Sequence, residues 1–160
     1  MSRGARNRLM SWTGMAVPFR PDRRDMAAAA RHAGAVLASG AHLAIAGEGT
    51  IHAGEANLLP LQDGAAFLAI RAGVPLVPVA VNGTSWVAFG RRVRIRIGPA
   101  IPAPDRAART EVADVTAAAE ASLRDLVRGY PDPPVPGRFW RWVSELFNEW
   151  PEGRRPEARA

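Results

Sequence analysis

The chain contains no lysine and no cysteine. Its 21 basic residues are all arginine, and with 15 acidic residues they leave a net charge of +6. The absence of cysteine excludes a disulfide framework, a thiolate metal site and a cysteine nucleophile. Histidine is scarce as well: His32, His42 and His52 are ten apart, which fits no common zinc spacing. No window approaches the roughly 18–20 consecutive apolar residues that span a bilayer. The N-terminal run "LMSWTGMAVPF" is broken by Ser11, Thr13 and Gly14 and lacks the small-residue cleavage pattern of a signal peptide. The expected location is therefore cytoplasmic, in solution or on the inner face of a membrane. Lysine-free sequence rich in alanine, glycine and proline reads as the imprint of a GC-rich genome. The basic excess itself favours anionic partners, whether nucleic acid, lipid or phosphorylated small molecules.

What is present fits one domain of 160 residues, with 48% apolar residues to build its core. "MAVPF", 15–19, is short and β-compatible. Pro21 and Asp22 open a helix, with Asp22 as N-cap; in it Met26, Ala29, Ala30, Ala33, Val36 and Leu37 share a face, and Gly40 ends it. "HLAIA" reads as a buried strand over 43–46, followed by a glycine-rich loop from Gly47 to Pro60. "QDGAAFLAIRAG" reads as a second helix over 63–72, capped by Asp63 and stopped by Gly73. "VPLVPVAV" is a near-continuous apolar run, a strand over 77–81. Pro75 and Pro78 force it to an edge or to a late start, because proline cannot donate to a ladder. "RRVRIRIG" alternates strictly: Val93, Ile95 and Ile97 point one way, while Arg92, Arg94 and Arg96 point the other, onto what reads as a solvated face. From Thr110 to Arg128 an apolar stripe of Val112, Val115, Ala119, Leu123, Leu126 and Val127 defines a third helix, with acids early and arginines late.

A proline-rich linker then leads to a short aromatic helix and a polar tail, so that 1–130 forms the main domain and 131–160 an appendage. Strands alternating with helices predict an α/β fold with a mostly parallel sheet flanked by helices. Segments 43–46, 77–81 and 93–97 are expected in one sheet. The aromatic helix carries Phe139, Trp142, Val143, Leu146, Phe147 and Trp150 on one side. Two readings stand beside each other there: docking onto the domain, or peripheral membrane contact through Phe139, Trp142, Phe147 and Trp150, with Arg138 and Arg141 at anionic headgroups.

Three stretches carry a resemblance. "GMAVPFR" holds Arg20 after an apolar pair, "AGEGTI" holds Glu48, Gly49 and Thr50, and "GVPLVPVAVNGT" is a Val-Pro-rich run. Together with "LLPLQDGAAFLAIRAG" between the last two, they resemble the second, third and fourth blocks of the glycerolipid acyltransferases typified by 1-acylglycerol-3-phosphate acyltransferase, over about residues 14–102. Ile51 stands where the family has arginine, and Gly47 where it has proline. The first block, His-x-x-x-x-Asp, is absent: five residues after His32, His42 and His52 come Leu37, Gly47 and Asn57. The expectation is of a chain shortened at its N-terminus, its first block carried on a longer product or lost.

The resemblance implies transfer of a fatty acyl group from acyl-CoA or acyl-carrier protein to a lysophospholipid acceptor, 1-acylglycerol 3-phosphate, giving phosphatidate. It implies no metal and no bound cofactor. The family's base is the histidine of the first block, so no catalytic residue is expected in these 160 residues. The expected substrate-binding residues are Arg20, Glu48, Gly49 and Thr50. Arg20 offers a forked donor for phosphate. Glu48 either accepts hydrogen bonds from acceptor hydroxyls or holds the loop. Its tip and that of Arg20 are expected to face one cavity. The alternative is a catalytically inactive lipid- or phosphate-binding remnant. A nucleic-acid-binding reading lacks any aromatic-basic stacking pattern or helix-turn-helix signature, so no nucleic-acid partner is expected.

Overall fold

The computed structural model describes residues 23–49, 55–86, 89–105, 108–131 and 134–147. Six elements follow in order: α1 (Arg23–Ala38), α2 (Gly64–Ala72), β1 (Val79–Asn82), β2 (Arg94–Ile97), α3 (Arg109–Val127) and α4 (Arg138–Phe147). The predicted strand at 15–19 and the cap Asp22 lie outside the described residues.

The chain is α/β, but its sheet is not the expected parallel one. Among the described residues there is one two-stranded sheet, and its strands run antiparallel, pairing Val79 with Ile97, Ala80 with Arg96, Val81 with Ile95 and Asn82 with Arg94. The physical reason is connectivity. Parallel neighbours need a crossover of a dozen or more residues, commonly a helix, and among the described residues no helix lies in the connection between Asn82 and Arg94. The predicted strand at 43–46 is also corrected: 41–46 joins no ladder, Leu43 is only half-buried and Ile45 is exposed.

The prolines of the apolar run do delay β1. Leu76 and Ile101 exchange hydrogen bonds of 2.9 and 2.8 Å in an isolated bridge, and the ladder proper begins at Val79. Two residues separate bridge from strand on one side and three on the other, so Gly98–Ala100 contains a bulge. It sits opposite Pro78, which has no N–H to give and whose carbonyl accepts from Gly98 at 2.9 Å. At Gly98 the sheet comes close to α3, because a Cβ there would stand 2.7 Å from Ser122 Oγ.

The helices form where the apolar spacing places them. Ala33 of α1 is buried, with Ala29, Ala30, Val36 and Leu37 half-buried around it. In α2, Ala66, Ala69 and Ile70 are buried, and the helix closes through Gly73 N–H to Ile70 O and Val74 N–H to Ala69 O. Asp63 precedes α2 but makes no side-chain cap; its carboxylate instead accepts from Thr116 Oγ1 of α3 at 3.0 Å. α3 buries Val112, Val115 and Ala119, and Glu111 reaches back to the Ala108 N–H at 3.1 Å, the half of a capping box that an alanine N-cap permits. The core joins Ala66 and Ile70 of α2 to Val112 and Val115 of α3, with Leu76 and Ile101 packed against them. α1 packs on α2, α2 on α3, and α3 on β1.

The faces of the hairpin are reversed from expectation. Val79, Val81, Ile95 and Ile97 are exposed, together with Val77 and Val93. On the opposite face Ala80 and Asn82 are buried and Arg94 is half-buried with its guanidinium carbon 4.4 Å from the centre of the Tyr130 ring, while exposed Arg96 donates to Leu126 O at 2.8 Å.

Candidate functional site

The loop between α1 and α2 carries the Gly-Glu-Gly-Thr stretch, and backbone pairing closes its base. Gln62 N–H donates to Gly47 O at 2.8 Å, and Gly49 N–H donates to Ala46 O at 3.4 Å. The two arms lie side by side. The space a Cβ would take at Gly47 is filled by Leu61, 3.1 Å away, and at Gly49 by Gln62, 3.3 Å away. The lack of side chains at both glycines therefore lets the arms of the loop meet.

Three carboxylates hold this loop, each by accepting backbone N–H groups. Glu48 Oε1, half-buried, accepts from Leu59 N–H at 3.2 Å and ties one arm to the other. Glu120 of α3 accepts from Leu61 N–H at 3.2 Å through Oε2, while Oε1 pairs with Arg124 one helical turn on. Glu55 ties the far end to the turn that follows β1. Its carboxylate accepts from Gly83 N–H and, at 2.8 Å, from Ser85 N–H, and its carbonyl accepts from Asn82 Nδ2 at 2.8 Å. Asn82 is 1% exposed, and its Oδ1 is buried without a hydrogen-bond partner, as are Nε and Nη2 of its cross-strand neighbour Arg94.

The turn itself depends on a glycine. Gly83 has φ +91°, and a Cβ there would collide with the Arg92 carbonyl oxygen. Beyond it Trp86 is buried and its carbonyl accepts from Arg91 Nη1 at 3.1 Å.

Of the four expected substrate-binding residues, the structure describes Glu48 and Gly49, both in this loop. Arg20 and Thr50 lie outside the described residues, as do Ile51 and His52, and so does the expected cavity shared by Arg20 and Glu48. Glu48 performs the loop-holding part that the sequence left open beside contact with a ligand. Glu55 and Glu120 were not singled out. The one available signal for Glu55 is an Asn-Gly-Thr-Ser turn at 82–85, with backbone donors to satisfy and no acidic residue in it.

Helices over a small sheet, with a glycine-rich loop pinned between them and the turn after β1, define an α/β domain built around one braced loop. Residues 5–82 match the model of the family described as Acyltransferase, and that segment is similar to the family. The match takes in α1, the braced loop, α2 and β1, and it ends on Asn82, the residue that Glu55 holds. That match supports a general role in acyl transfer. No curated protein and no solved structure matches the chain.

Proposed function

We propose that this domain serves transfer of a fatty acyl group from acyl-CoA or acyl-carrier protein to 1-acylglycerol 3-phosphate, in phospholipid biosynthesis. The observation that carries the reading is the Glu48 brace, which lies inside the acyltransferase match and fixes the Gly-Glu-Gly arm against Leu59 and Gln62. In this reading Arg20 clamps the acceptor's phosphate, and Glu48, Gly49 and Thr50 shape the loop beside it. The reaction requires a base to take the proton of the acceptor hydroxyl as its oxygen attacks the thioester carbonyl. The tetrahedral adduct then collapses and expels the thiolate, which takes up a proton. None of the three histidines is followed five residues later by Asp, so the family's base pair is not among these 160 residues. That same observation favours the second reading, a lipid- or phosphate-binding domain without turnover of its own.

One experiment separates them. The 160-residue chain is titrated with lysophosphatidate, and its turnover with acyl-CoA is compared with that of a product carrying His-x-x-x-x-Asp. Binding with turnover lower by about 10²–10⁴-fold is expected. Arg20→Ala weakens binding of lysophosphatidate more than of acyl-CoA, because a phosphate clamp acts on one substrate. Equal weakening of both, or no binding of lysophosphatidate by the parent chain, overturns the acceptor assignment. Binding with no turnover even in the longer product favours the second reading.

A further inference from the structure

α4 presents two large aromatic side chains to solvent. Phe139 is 63% exposed and Trp142 57%, and their ring centroids are 6.2 Å apart. One turn separates them, so they form a single patch. Among the described side chains of α4, Ser144 is buried, 0% exposed and about 150° round the axis from that patch at ~100° per residue. Its hydroxyl donates to Trp140 O at 2.8 Å. The exposed aromatic pair thus lies opposite the side on which Ser144 is buried and Trp140 and Val143 are half-buried. Among the described residues, the extensive contacts between elements do not include α4.

We infer that α4 is a membrane-contact helix, lying in the plane of an anionic lipid surface with Phe139 and Trp142 at headgroup depth. Aromatic rings are the side chains best suited to that depth, since their faces bury in acyl chains while the indole N–H stays hydrated. Charge complementarity selects the occupant. Exposed Arg138 opens the helix directly before Phe139, and the chain carries a net charge of +6. No described helix is long and apolar enough to cross a bilayer, which leaves an in-plane contact for α4. The inference does not rest on the acyl-transfer reading, because it concerns a bilayer and not a substrate.

The test is co-sedimentation of the full chain with vesicles of one part phosphatidylglycerol to two parts phosphatidylcholine, and with vesicles of phosphatidylcholine alone, neither containing lysolipid or thioester. The chain is expected to bind the anionic vesicles more tightly and to lose several-fold in affinity as salt rises from ~0.1 to ~0.5 M. Phe139→Ser with Trp142→Ser removes two rings that each present on the order of 100 Å² to the bilayer, and binding should fall by about 50-fold or more. Both positions are exposed, so far-UV circular dichroism should be unchanged. Trp142→Phe should retain most of the binding. Phe89→Ser, on a residue 92% exposed in the connection between β1 and β2, should leave it intact. Failure of the parent chain to bind anionic vesicles overturns the inference, as does equal loss in Phe89→Ser, which marks general stickiness. A concentration-dependent dimer that the double substitution dissociates, without vesicle binding, assigns the patch to a second copy instead.

Discussion

Glu55→Ala removes the acceptor that secures the turn after β1. The carboxylate takes the N–H of Gly83, which is buried, and that of Ser85, half-buried, at 2.8 Å. A hydrogen bond to a charged group contributes about 1.5–3 kcal/mol net, and a buried donor left without an acceptor costs about 1–3 kcal/mol. Water can reach the Ser85 amide after truncation but reaches that of buried Gly83 poorly, so the two terms do not add in full. A loss of about 3 kcal/mol follows, a large share of the ~5–15 kcal/mol that holds a typical domain. In urea, with a slope of ~2 kcal/mol/M, this is a fall of about 1.5 M in midpoint, read by far-UV circular dichroism. Glu55→Gln keeps one acceptor oxygen but sets an NH₂ against one of the two donors, so about half the loss should remain. Because Glu55 joins the braced loop to the turn, amide exchange at Gly83 and Ser85 should quicken together in the alanine variant. A midpoint shift under ~0.3 M with unchanged slope would refute the reasoning, since it would mean that the turn holds without the carboxylate.

Two further perturbations bear on the same frame. Gly83→Ala combines a left-handed backbone at φ +91° with a collision against the Arg92 carbonyl; a loss of at least ~3 kcal/mol, or about 10 °C in melting temperature, is expected in a thermal scan. A double-mutant cycle of Asp63→Ala and Thr116→Val should give a coupling of about 0.5–1 kcal/mol for their 3.0 Å hydrogen bond, which is exposed, and no coupling would show that α2 and α3 meet through their apolar faces alone.

The helices were legible because their signals are local. α1, α2 and α3 follow apolar spacing within one segment, and the glycines after α1 and α2 are in the left-handed region. Element boundaries shift by one or two residues, as at Thr110 against Arg109. What failed was pairing. The run at 43–46 has strand composition, yet a strand exists only through a neighbour, and composition names none. The antiparallel hairpin was open to deduction, since two successive strands without a helix between them have no crossover. Asp63 has the identity of a cap, but Thr116, fifty-three positions away, captures its carboxylate. Glu55 was illegible for the same reason: its partners lie 28 and 30 positions along the chain. Glu48 and Gly49 were found through their likeness to a family block, and the chain's match to that family covers them. The loop-holding work of Glu48 depends on Leu59, which no short motif could name.

The reversed hairpin is the sharpest case of a pattern that fixes period but not direction. Alternating Val/Ile and Arg sets two faces, and hydrophobic burial alone assigns the aliphatic one to the core. Half-buried Arg94 takes that place here, with exposed Arg96 at its rim, because of what α3 offers at its C-terminal end. The last carbonyls of a helix lack internal donors and carry partial negative charge. Leu126 O is one of them, and Arg96 supplies its donor at 2.8 Å. Arg94 stacks on Tyr130 just beyond the helix, an attraction that grows as the cation is desolvated. The long arginine stems cover apolar surface while their heads meet oxygen and ring. Leu126 and Val127 beside them are half-buried in consequence. The glycine at 98 then admits Ser122 and Leu126 against the sheet, at 2.7 and 3.3 Å from where a Cβ would be. The inward face is thus set by the C-terminal end of a helix, at Leu126, which lies 29 positions after the strand finishes at Ile97. An Arg96→Leu change that raised stability would show that the carbonyl needs no arginine and that the aliphatic face is outward for some other cause. A loss of about 0.5–1 kcal/mol in the same urea assay is the result that this exposed carbonyl contact requires.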